Sequence, residues 1–208
     1  MANLLPERSP ENAKKPTLVL DLDETLIHFV SNEKKFKLRP GCLYFLREMS
    51  QLYEVIVFTA AAQEYADFIL NIIERRLLEG QNGVQQNTDS NNDSKMPDQG
   101  KAISHRLYRH HCQLDDGVFV KDLGLLGRDL RRTVIVDNIR DNFERQPDNG
   151  IEILTWIGNP EDRELHKLAQ FLKNVVKQEL ADVRPEIKKY GQEKWRSLSP
   201  SKRSFLKL

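Results

Sequence analysis

The stretch LVLDLDETL, residues 18–26, constrains this chain more than any other. An apolar run drives straight into Asp21, with Asp23 and Thr25 at the next alternate positions. A strand buried on both faces should not end in paired carboxylates, because ionised acids are costly to desolvate. That ending does fit where the carboxyl edge of a parallel sheet opens into a ligand crevice. Aspartates at i and i+2 there suit one to attack and coordinate metal, while the other handles a proton.

The rest of the chain reads as the scaffold for that edge. Its 208 residues, 39% hydrophobic, allow one substantial core. The 32 basic residues balance 31 acidic ones, so no global field argues for nucleic acid or membrane. No segment has the roughly 20 apolar residues needed to span a bilayer. The first residues, MANLLPERSPENAKK, read as neither a signal segment nor a transit peptide. With only Cys42 and Cys112, no disulfide framework is expected, and an intracellular, nuclear or cytoplasmic compartment fits. A monomer is expected.

Strand and helix patterns then alternate. Residues 17–22, 53–58, 133–136 and 151–154 read as strands, the third ending in Asp137. A helix follows Pro40-Gly41 with Leu43, Leu46 and Met49 inward. A second spans 63–78, with Tyr65, Phe68, Ile69, Ile72, Ile73 and Leu77 on its buried face. A third is expected to begin with Asn159 as cap and Pro160 at its first position, burying Leu165, Leu168, Leu172, Val175 and Val176. This alternation means an α/β fold on a parallel sheet. Asp115-Asp116-Gly117 signals a small hairpin between HRLYRHHCQL and VFVKDL. Residues 79–101 are polar and read as a surface insertion. The tail from Val183 is basic and reads as solvated, with SLSPSKR as a candidate phosphosite. Trp156 and Trp195 read as packing residues.

Four separated segments carry a resemblance. DLDETL supplies Asp21 and Asp23, VFTAA supplies Thr59 and Ala60, VKDLGLLGRDLRR supplies Lys121, and VIVDN supplies Asp137 and Asn138. In this order they resemble the small Fcp/Scp-type (NLI-interacting-factor-like) protein phosphatases of the haloacid dehalogenase superfamily. The resemblance implies a Rossmann-like parallel sheet with helices on both faces and a small inserted hairpin. It also implies a domain map: an extension over 1–15, a phosphatase domain over 16–180 and a tail over 181–208.

The chemistry implied by that family suits the residue types. Asp21 is implied as the nucleophile, because a carboxylate can attack phosphorus and split one displacement into two. Asp23 is implied as general acid and then base. Mg²⁺ favours oxygen ligands, and the family pattern assigns it Asp21, the Asp23 carbonyl and Asn138. Asp137 is placed near metal and lysine, either through water or as the partner of Lys121. Thr59, Ala60, Lys121 and Arg109 are implied around the phosphoryl group, where positioning and charge stabilisation dominate.

Bland readings compete. Thr59 could cap a helix, and Lys121 or Arg109 could sit in structural ion pairs. The adjacent His110 and His111 would point to opposite faces of a strand, which argues against a metal site.

The expected function is therefore a Mg²⁺-dependent phosphoserine/phosphothreonine protein phosphatase. Its partner is a phosphoprotein, with the RNA polymerase II C-terminal tail as one candidate. The segment 28–39 is short and the DN pair is followed by Ile139-Arg140, departures from the polymerase-tail enzymes that leave the substrate open. Two rivals stand beside it: a non-catalytic module like the mitochondrial import-receptor relatives, and a small-metabolite phosphatase. An open site without a large cap favours a macromolecular substrate.

Overall fold

Three β-rich runs of the chain, TLVL, EVIVF and TVIVD, are buried along their whole length and form the centre of one sheet. The computed structural model describes residues 3–79 and 101–197. The rest of the expected insertion, and the chain from residue 198, lie outside the described residues, as does the Trp195 side chain.

In chain order the strands are β1 (Thr17–Leu20), β2 (Ile27–Val30), β3 (Lys35–Leu38), β4 (Glu54–Phe58), β5 (His105–Leu107), β6 (Gln113–Asp115), β7 (Val118–Val120), β8 (Thr133–Asp137) and β9 (Gly150–Glu152). The helices are α1 (Cys42–Leu52), α2 (Gln63–Glu79), α3 (Glu164–Lys177) and α4 (Arg184–Ser197). Five strands form a parallel sheet in the order β5-β4-β1-β8-β9. Leu20 is level with both Val57 and Val136, so β1, β4 and β8 end at one height. Asp21, Thr59 and Asp137 therefore emerge together at the carboxyl edge.

Alternation along the strands sorts the core into two layers. Leu18, Leu20, Val55, Val57, Val134 and Val136 pack with Phe45 and Met49 of α1, Ile69 and Ile73 of α2, Leu168 and Leu172 of α3, and Ile187 of α4. Val19, Ile56, Phe58 and Ile135 pack on the other face with Leu5, Leu123, Leu126 and Phe143. The α/β class and parallel sheet stand. Helices cover one face, while 3-10 turns and the N-terminal segment cover the other, in place of the helices expected there.

Several expected elements are corrected. α3 starts at Glu164: Asn159 accepts the Glu161 N–H but caps only a turn, while Asp162, held by Arg39, accepts the Glu164 N–H where the helix begins. Within the expected tail, Arg184–Ser197 is a helix rather than solvated chain. Val183 and Ile187 are buried, and Tyr190 stacks on Phe171 with ring centroids 4.1 Å apart. Phe68 is 63% exposed rather than inward. The hairpin forms from β6 and β7, with Asp116 and Gly117 both at positive φ as a tight primed turn needs. His105–Leu107 instead extends the main sheet. A second hairpin, β2–β3, directly follows the first aspartate motif.

Candidate active site

At the end of β1 the chain leaves a fully buried strand, and Asp21 remains only 6% exposed. Its N–H bonds to the Val136 carbonyl, which extends the parallel ladder to the carboxyl edge. Lys121, just past β7, is fully buried and lies between two acids. Its Nζ is 2.6 Å from Asp21 Oδ1 and 2.6 Å from Asp137 Oδ2. Asp137 Oδ1 accepts the Ile139 N–H at 2.8 Å, and both its oxygens accept from Asn142 Nδ2 at 3.2 Å. Asp137 is thus bonded to Lys121, one of the two positions open to it.

One ammonium between two carboxylates leaves this buried cluster short of positive charge. Burial, and then the neighbouring Asp137, push the Asp21 carboxyl upward against the pull of Lys121. Burial also opposes the Lys121 charge, but Asp21 and Asp137 outweigh it and hold the ammonium protonated. Asp23 is shifted upward as well, chiefly by burial. The Tyr65 hydroxyl donates to Asp23 Oδ1 at 2.7 Å and works against that shift.

These groups line a cleft of about 470 Å³. Asp21, Asp23, Asn138, Thr59, Ala60 and Arg109 all line it, so the structure brings these motif residues together. Lys121 touches Asp21 from beneath. Thr59 Oγ1 accepts the Ala61 N–H at 3.0 Å, shaping the loop before α2. Arg109 donates from Nε to the Ala60 carbonyl at 2.6 Å, and its guanidinium lies over the Phe119 ring. Among the described residues it forms no ion pair. His111 accepts the Tyr108 N–H and closes the turn after β5. Asn138 Oδ1 accepts from Thr25 Oγ1 at 3.2 Å. A second cleft, about 400 Å³ between the N-terminal segment and α1, contains none of the motif residues.

Tyr65 and Asn142 belong to the site, and sequence reasoning did not place them there. Tyr65 was read as part of a buried helical stripe, yet it stands in the first turn of α2. A hydroxyl-bearing aromatic at the start of a helix that leaves the carboxyl edge is the signal that could have found it.

A parallel α/β core with paired aspartates on its first strand, a threonine after its second and a buried lysine–aspartate pair defines a haloacid-dehalogenase-type architecture. The family model for NLI interacting factor-like phosphatases matches residues 16–93 and 82–184, and the chain belongs to that family. CTD small phosphatase-like protein 2 of Dictyostelium discoideum is 37% identical, over 85% of this chain and 30% of the relative. Mitochondrial import inner membrane translocase subunit TIM50 of Candida albicans is 36% identical, over 90% of this chain and 36% of the relative. The chain thus spans about a third of the length of these relatives. The solved structure of Fcp1, an essential RNA polymerase II CTD phosphatase, shares the fold at a TM-score of 0.55 and 18% identity, covering 78% of this chain and 62% of that one.

The translocase relatives, another of them from Debaryomyces hansenii at 35% identity, overturn the expected nuclear or cytoplasmic compartment. They point to the mitochondrion instead.

Proposed function

We propose that this chain is a Mg²⁺-dependent phosphoserine/phosphothreonine protein phosphatase that works through an aspartyl-phosphate on Asp21, with 16–180 as its phosphatase domain. The observation that carries the reading is the buried Lys121 bonded at 2.6 Å to Asp21, which lines the cleft together with Asp23.

In this reading the Asp21 oxygen not bonded to Lys121 attacks phosphorus, and the bond from phosphorus to the serine or threonine oxygen breaks. Asp23, its carboxyl raised by burial, gives its proton to that leaving oxygen. The Asp23 carboxylate then takes a proton from water, whose oxygen attacks the phosphorus; the bond from phosphorus to the Asp21 oxygen breaks, inorganic phosphate leaves and Asp21 returns as a free carboxylate. Lys121 and the Thr59–Ala60 loop hold the transferring oxygens, and Arg109 meets the phosphate at the cleft mouth.

The donor set suits a hard divalent cation. Asp21 and Asn138 both line the cleft, and the excess of carboxylate over ammonium is what such an ion relieves. Asp21, Asn138 and the Asp23 carbonyl would hold it. When bound, Mg²⁺ supplies neutralisation of the phosphoryl charge.

The open cleft favours a protein substrate over a small metabolite. The test compares turnover of phosphoserine and phosphothreonine peptides, polymerase-tail repeats among them, with that of sugar phosphates, in Mg²⁺ and in excess EDTA. Metal-dependent preference for phosphopeptides is expected; full activity in EDTA, or preference for sugar phosphates, would overturn the reading.

The TIM50 relatives favour a second reading, a non-catalytic module for protein import into mitochondria. It predicts no turnover of any phosphomonoester with Mg²⁺ present, together with binding of import substrates or translocase subunits.

A further inference from the structure

Arg39 is one of the largest fully buried side chains in the protein, 1% exposed, and carries none of the chemistry proposed above. It closes β3 just before Pro40-Gly41, and its own N–H bonds the Leu26 carbonyl. Its guanidinium makes a fork with Asp162, from Nε to Oδ1 at 2.8 Å and from Nη2 to Oδ2 at 2.9 Å. The remaining donors reach backbone. Nη2 bonds the Leu154 carbonyl at 2.8 Å, and Nη1 bonds the Thr25 carbonyl at 3.2 Å and the Glu24 carbonyl at 3.5 Å.

Glu24 and Thr25 form the turn directly after Asp23. Glu24 holds φ at 56°, a left-handed conformation that is strained for a residue with a side chain and persists only where neighbours impose it. Three contacts impose it here. The Glu24 N–H bonds the Ile27 carbonyl at 2.7 Å, and the Trp156 N–H bonds the Glu24 carbonyl at 2.9 Å. Arg39 pulls the same carbonyl and the next one towards Asp162. Thr25 in turn touches Asn138 through its hydroxyl. A buried ion pair adds little net stability over a well-packed apolar pair of similar volume. A planar fork with five donors can, however, fix several carbonyls at defined positions.

We infer that Arg39 is a positioning residue of the phosphoryl transfer: with Asp162 it sets the 24–25 turn so that Asp23 faces the leaving oxygen and Asn138 faces the cleft. The inference rests on the phosphatase reading. Arg39 touches no reacting atom, so its effect passes through Asp23.

The test is a set of aryl phosphates spanning a range of leaving-group pKa, plus a phosphoserine peptide, assayed in Mg²⁺ with wild type, Arg39→Lys and Asp162→Asn. Lysine keeps the charge but loses the fork. It should lower kcat/KM for phosphoserine, which reports the step that expels the leaving group, about 10- to 100-fold, the scale of a misplaced general acid. The loss in kcat/KM should be much smaller for 4-nitrophenyl phosphate, whose leaving group needs little protonation, whereas hydrolysis of the shared aspartyl-phosphate slows alike for every substrate. Dependence of kcat/KM on leaving-group pKa should therefore steepen. Asp162→Asn keeps an oxygen for Arg39 and should show the same steepening in smaller measure, which secures the readout if Arg39→Lys folds poorly.

A loss in kcat/KM equal for all leaving groups, or one that follows only the folded fraction, would reduce Arg39 to a structural role and overturn the inference. Absence of turnover by the wild-type chain would instead remove the phosphatase reading, and this inference with it.

Discussion

The Tyr65 hydroxyl lies 2.7 Å from Asp23 Oδ1 and donates to it, joining the first turn of α2 to the candidate acid of the β1 loop. A bond to the ionised form lowers the Asp23 carboxyl, against a burial effect that raises it. Tyr65→Phe removes the donor and keeps the ring that packs edge-on against Phe29. Asp23 should rise further, so the alkaline limb of the kcat/KM–pH profile, where the leaving-group step loses its acid, should move to higher pH. A profile superimposable on wild type would show that Asp23 does not set that limb.

Asp21→Asn should abolish turnover and leave the fold standing. The substitution removes the attacking charge at constant volume and leaves Lys121 paired one-to-one with Asp137 at 2.6 Å. A buried cluster with two acids against one ammonium becomes balanced, so Tm should be unchanged or higher. Turnover near the wild-type rate would remove Asp21 from the nucleophile role, and a large fall in Tm would contradict the charge argument.

Lys121→Met should do the opposite to stability. It strands Asp21 and Asp137 in a site where the lysine is fully buried, and breaking a buried pair from one side costs about 3–5 kcal/mol. Adding Asp137→Asn should recover a substantial part of the loss without restoring activity. Denaturant melts of the single and double variants decide this. Equal stability of the two would mean that Asp137 is not the partner whose charge matters.

These relationships were unequally legible in the sequence. Asp21, Thr59 and Asp137 were readable because each ends an apolar, β-branched run, and a parallel sheet brings such ends to one edge. Lys121 was readable through its motif alone, since nothing local distinguishes it from a surface lysine. Arg39 and Tyr65 were not readable as site residues, because their partners lie 123 and 42 positions away. The start of α3 was misplaced for a related reason. Asn159-Pro160 has good capping chemistry, but Arg39 draws Asp162 into the interior and the helix waits until Glu164. α4 was missed because Val183, Ile187 and Tyr190 form only a thin apolar stripe in a strongly charged segment, and their contacts are tertiary.

Stability should fall in acid through a residue far from the cleft. Glu54 begins β4 at the amino end of the sheet, where its side chain is fully buried against Arg128. Both carboxylate oxygens accept from that guanidinium at 2.8 Å, with Arg8 and His105 each 3.5 Å away. Burial alone would raise the Glu54 carboxyl, but Arg128, His105 and Arg8 outweigh it and hold the group down at about 2. A carboxyl depressed in the folded state stabilises the protein above its ordinary value. That contribution is lost as pH falls from the usual glutamate range towards 2. The loss should amount to roughly 3 kcal/mol between these limits. Glu54→Gln should lower stability at neutral pH and flatten this part of the dependence. The gap between wild type and Glu54→Gln in denaturant melts should therefore narrow from pH 7 to pH 3. A gap that stays constant across that range would show that the carboxylate charge is not what Arg128 secures there.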